Sequence, residues 1–141
     1  MDFRPYLAFA GNCREAFARY QQIFGGELNV LTFADMPDGE GQAPPSRPAD
    51  AVMHAALTAG DAVLMGADDP SGQFSGSVNG MCVNYAGADA GDAKRVFDAL
   101  TEGGEVQMPI SETFFSPAFG MCRDRFGIPW MVMAEMPAGA G

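Results

Sequence analysis

Apolar residues at Ala16, Phe17, Tyr20, Ile23 and Phe24 fall at i, i+1, i+4, i+7 and i+8, one stripe along a helix that Gly25-Gly26 ends. Asn12, with Glu15 three residues on, reads as a capping box, so the helix is expected to start at about Asn12. Extended runs flank it. Phe3 to Phe9 and Glu27 to Phe33 read as strands, with Pro5 favouring a sheet end or edge, and Ala51 to Thr58 with Asp61 to Ala67 reads as a hairpin around Ala59-Gly60.

The same order then recurs. Met81 to Tyr85 reads as a strand, and a helix from about Asp89 carries Ala93, Val96, Phe97 and Leu100 before Gly103-Gly104 stops it. Glu105 to Ile110 is the next strand, Ser111 to Ala118 a loop, and Phe119 to Ala134 a closing hairpin that turns at Phe126-Gly127. Gly11 aligns with Gly87, Ala16 with Ala93 and Tyr20 with Phe97, while Gly60 aligns with Gly127 and Leu64 with Met131. The chain therefore reads as an α+β duplication of two βαβββ modules. Module one is expected over 1–67 and module two over 81–136, with a linker at 68–80 and a frayed tail at 137–141. Ala34 to Asp50, with four prolines and no periodicity, is expected to be a long loop.

Composition narrows the classes. A chain of 141 residues with 48% hydrophobic and 18% charged residues fits a single globular domain. A net charge of −10 with only 8 Lys and Arg argues against a nucleic-acid partner, and no apolar run approaches a membrane span. With no basic leader before an apolar run, the expected location is cytoplasmic. Cys13, Cys82 and Cys122 form no metal or disulfide spacing and are expected to be buried thiols, and no G-x-G-x-x-G, G-x-x-x-x-G-K-[ST] or H-E-x-x-H motif occurs.

Three segments, PYLAFAGNCREAFARYQQIFGGEL, MHAALTAGDAVLMGADD and FFSPAFGMCRDRFGIPWMVM, resemble the PhnB-like, or demethylubiquinone methyltransferase-like, branch of the vicinal oxygen chelate superfamily, which includes glyoxalase I and bleomycin-resistance proteins. The resemblance implies a U-shaped, glyoxalase-like sheet with helices outside and a ligand cleft inside. Metal-using members place His, Gln or Glu on the first and last strands of both modules. Counted from the turn glycines, those positions fall near Pro5, Leu64, Met81 and Met131, none of which is a hard-metal ligand. The expected protein is therefore a small-molecule binder with no metal and no cofactor, taking an apolar or aromatic ligand and forming a homodimer. The alternatives are a lyase, isomerase or dioxygenase with metal ligands relocated to residues such as His54, Asp69 or Glu135, and a dimerising regulatory or scaffold domain.

Candidate ligand-contacting residues are His54, Met81, Phe115, Phe119, Trp130 and Met131. His54 is the only histidine, and the related family places a His in this strand; the competing reading is a satisfied strand histidine. Trp130, Met131 and Met133 alternate with Val132, so one set faces the cleft and the other the helices. Phe114, Phe115 and Phe119 surround a Ser-Pro loop and read as a wall or lid over a bound ring. Asp68-Asp69 reads as a turn-forming pair, and Asp124, three residues before Gly127, as the organiser of its hairpin turn. Cys122 beside Arg123 lacks a histidine partner and reads as an inert thiol.

Overall fold

Strand β1 (Tyr6–Phe9), helix α1 (Cys13–Phe24) and strands β2 (Glu27–Thr32), β3 (Val52–Ala59) and β4 (Ala62–Asp68) are followed by the same series again. That second series is β5 (Val83–Gly87), α2 (Ala90–Thr101), β6 (Glu105–Ser111), β7 (Phe119–Arg123) and β8 (Pro129–Ala134). The structure, a computed structural model, describes residues 1–35, 50–69 and 78–136. Most of the expected 34–50 loop, linker residues 70–77 and the tail at 137–141 lie outside the described residues.

The strands form two four-stranded sheets ordered β1-β4-β3-β2 and β5-β8-β7-β6. In each, the first and last strands of the module run parallel and the other neighbours antiparallel. This is an α+β architecture of two βαβββ modules. The chain divides into two compact units, Met1–Gly76 and Ser77–Gly141.

Each helix covers one face of its own sheet because its apolar stripe has nowhere else to be buried. Helix α1 buries Cys13, Ala16, Phe17, Tyr20 and Ile23, and Phe17 meets Phe9 and Tyr20 edge-on at centroid distances of 6.0 and 5.5 Å. Helix α2 buries Ala93, Val96, Phe97 and Leu100. The glycine after each helix lies against another strand. A Cβ on Gly26 would sit 2.2 Å from the Thr58 carbonyl oxygen, and one on Gly104 would sit 2.3 Å from that of Arg123. Only glycine permits that approach, which is why a Gly-Gly pair stands at the same point of both modules.

Several boundaries differ from expectation. Strand β1 begins at Tyr6, leaving Phe3 outside and 89% exposed, because Pro5 has no N–H and joins the sheet only by accepting from the Met65 amide. Strand β5 begins at Val83, and Met81 precedes it at 69% exposure. The expected capping box at Asn12 does not form, since its side chain makes no cap hydrogen bond. Asp89 does cap α2, accepting from the Asp92 amide at 2.8 Å. Among the described residues no helix is long and apolar enough to cross a membrane.

Candidate functional site

One face of each sheet is covered by its helix, so functional side chains are sought on the other. In module one a Cβ on Gly66 would collide with the Phe17 ring, which marks Gly66, with Leu7, Ala55 and Phe9, as facing α1. Strand alternation then sends Tyr6, Met65, Ala56 and His54 to the helix-free face. The register agrees: Tyr6 is the partner of Met65, Met65 of Ala56, and His54 of Leu31.

Tyr6 and His54, 48 residues apart in the chain, meet there. The phenol oxygen lies 3.4 Å from His54 Nδ1, and the rings stand 5.8 Å apart, tilted by 37°. Burial pushes the Tyr6 phenol above its ordinary ionisation range, with the nearby Cys13 thiol adding to the shift, so the group is a neutral O–H at physiological pH. Tyr6 was not among the sequence candidates. Counting from turn glycines lands on Pro5 and Leu64, whereas the register pairs Tyr6 with Met65, and Leu64 is buried opposite Leu57 on the α1 side.

In module two the marker is Gly120, where a Cβ would meet the Phe97 ring of α2. Its partner Val132 shares that face, so Met121 with Met131, and Phe119 with Met133, point the other way. Asn84, Met131, Met121 and Met108 are successive register partners across all four strands. Phe115 leans edge-on against Phe119 at 5.0 Å and Phe114 against Phe115 at 5.2 Å.

Trp130 therefore does not share a face with Met131. It is 2% exposed, is the register partner of buried Cys122, and donates its Nε1 hydrogen to Asp124 Oδ2 at 2.9 Å. Asp124 also accepts the Phe126 and Ile128 amides at 2.9 and 3.0 Å, so it organises the β7–β8 turn. Asp68 is no turn former. As the last residue of β4 it is buried and accepts the amides of Gly11, Cys13 and Val52. Cys13 and Cys122 are fully buried, and burial, helped by the neighbouring carboxylates of Asp68 and Asp124 respectively, pushes both thiols up to about 12.

The donor chemistry on these faces does not fit the divalent ion that related enzymes use. First and last strands supply Tyr6 and Met65 in one module and Asn84 and Met131 in the other, and thioethers are too soft for hard cations. Among the described residues no three His, Cys, Asp or Glu side chains cluster closely enough to hold a metal.

Two βαβββ modules, each with one helix on one face of a mixed sheet, define a protein of the glyoxalase/bleomycin-resistance, or vicinal oxygen chelate, fold. Within that fold the chain belongs to the PhnB-like family, since residues 1–133 match the family model described as 3-demethylubiquinone-9 3-methyltransferase. Protein YjdN of Escherichia coli (strain K12) is 37% identical over 140 residues, covering 94% of each chain. The crystal structure of protein PA1353 from Pseudomonas aeruginosa is 40% identical with a TM-score of 0.86, covering 97% of this chain and 99% of that one. A putative 3-demethylubiquinone-9 3-methyltransferase, PhnB protein, from Bacillus cereus has the same fold at 22% identity and a TM-score of 0.73, covering 95% of this chain and 99% of its own.

Proposed function

We propose that this chain is a small-molecule-binding protein that takes an apolar or aromatic ligand on helix-free sheet surface without a metal ion. The row of Met108, Met121 and Met131, with Met133 and Phe119 beside it, carries the reading. Thioether side chains are flexible and polarisable and adapt to aromatic rings, so such a row on the side of the sheet away from α2 suits a ligand of that kind. The soft donors on the first and last strands support metal independence. The activity in the family's name is not carried over, since the match shows membership of the family alone.

The test is NMR of protein labelled at the methionine methyl groups, titrated with small aromatic compounds with and without a chelator. The Met121, Met131 and Met133 signals are expected to shift in both conditions, while exposed Met1 stays still. Shifts that vanish with chelator, or that never appear, refute the proposal.

A further inference from the structure

Met108, Met121 and Met131 are register partners in turn on β6, β7 and β8, on the face of the sheet away from α2. Directly paired residues on neighbouring strands hold their Cβ atoms about 4.5–5.5 Å apart, and a methionine carries its sulfur on an unbranched, flexible side chain, so the two outer thioethers can lean over Met121 toward one point. None of the three is buried. Met108 is 45% exposed and Met121 and Met131 are partly exposed, so the row is open to a solute. On β5 the next partner is Asn84, which ends the row with an amide and leaves three sulfurs as the donor set. Such donors choose their ion by softness: thioethers favour Cu(I), while Mg, Ca and Mn go to oxygen. Thioethers are also neutral, which suits a monovalent ion better than a divalent one, and a net charge of −10 favours a cation over an anion.

We propose that Met108, Met121 and Met131 form a binding site for a soft monovalent cation, Cu(I), held by three thioethers over β7. The ion is a second occupant of the row that the aromatic-binding reading uses, and the inference does not rest on that reading. An aromatic ring needs no ion there, and the ion needs no ring.

The probe is Ag(I), which matches Cu(I) in charge and softness and is stable in air. It is titrated as the nitrate into protein labelled at the methionine methyl groups and carrying Cys82→Ser, so that the half-buried thiol cannot take the ion. One equivalent is expected to move the Met108, Met121 and Met131 signals together and to leave exposed Met1 and Met81 still, while Zn(II) moves none of them. A thioether has no proton to lose, so the shifts should be the same at pH 5 and pH 7, whereas an imidazole or thiolate site would weaken at pH 5. Met121→Leu, which keeps the apolar bulk, should abolish the joint shift. Met108→Leu, at an exposed position where folding is not at stake, should weaken it. Signals unmoved by Ag(I), shifts undiminished in both leucine variants, or shifts lost at pH 5 overturn the site. Toluene titrated into a separate sample reads the aromatic ligand on its own: movement with toluene and none with Ag(I) overturns the ion site alone, and the reverse overturns the aromatic ligand alone.

Discussion

Asp68 Oδ1 accepts the amide of Cys13 at 3.0 Å, so the last residue of β4 holds the start of α1 across 55 positions of chain. The same carboxylate takes the Gly11 amide at 3.1 Å and, through Oδ2, the Val52 amide at 2.9 Å. Losing it leaves buried donors unsatisfied, at about 1–3 kcal/mol each. Asp68→Ala is therefore expected to lower unfolding free energy by about 3 kcal/mol or more, while Asn12→Ala, at a position whose side chain caps nothing, changes it by less than about 0.5 kcal/mol. Urea unfolding followed by the single tryptophan measures both, and equal losses would contradict the assignment.

That contrast also marks how far the residues could be read without coordinates. The duplication was legible because it is local: helical stripes, Gly-Gly stops and turn glycines recur at nearly constant offset, and Ala16 and its counterpart Ala93 are both fully buried. The cap was not legible, since the residue that takes the first amide of α1 sits 55 positions on at the end of β4, in a sequence context that reads as a turn. Faces of strands were harder still. Trp130 and Met131 are equally apolar in sequence, and it takes the clash that a Cβ at Gly120 would make with Phe97, with the burial of Trp130, to show which of them looks toward α2. A count that slips by one residue exchanges the two faces, and that slip selected Leu64 over Met65.

The three thiols should differ in reactivity. Cys13 and Cys122 are fully buried with ionisation pushed up to about 12, whereas Cys82 is half-buried. Because the thiolate is the reactive form, a disulfide reagent at pH 8 is expected to modify one thiol per chain, Cys82, under native conditions and all three in denaturant. Rapid modification of Cys122 in the native protein would restore it as a nucleophile candidate.

In module two, Tyr85 donates its hydroxyl hydrogen to Asp92, which also receives Arg95 at 2.9 Å. Burial, and then the Asp92 contact, pushes the Tyr85 phenol up to about 12, while hydrogen bonds from Tyr85 and Arg95 hold Asp92 below its usual range. The signs follow from linkage. An unfolded tyrosine ionises near pH 10, so between pH 10 and about 12 the native state holds the extra proton and stability falls as pH rises. Asp92 contributes above the ordinary carboxylate range and loses that contribution as pH falls through its depressed folded value. Tyr85→Phe should flatten the alkaline limb of a urea-midpoint profile and also weaken the acid limb; an unchanged alkaline limb would rule out Tyr85 as its source.

The aromatic residues before β7 are displayed by a loop that is itself tightly held. Ser116 is fully buried, its hydroxyl lying 2.7 Å from the Ala118 carbonyl and 2.6 Å from that of Ala134, while the Ala118 amide donates to it at 3.2 Å. Thr113 closes the loop through its hydroxyl, which accepts the Ser116 amide at 3.1 Å. Phe114 is consequently left 95% exposed and Phe115 41% exposed. Holding large apolar groups in water adds nothing to folding, so their removal should separate binding from stability. Phe115→Ala is expected to weaken binding of an aromatic probe several-fold and to cost less than about 1 kcal/mol of stability, whereas Ser116→Ala, which orphans buried backbone groups, should cost about 2 kcal/mol. Thermal unfolding paired with probe titration checks this. If Phe115→Ala destabilises as much as Ser116→Ala and leaves binding unchanged, the aromatic group is packing for the loop and not a contact for a ligand.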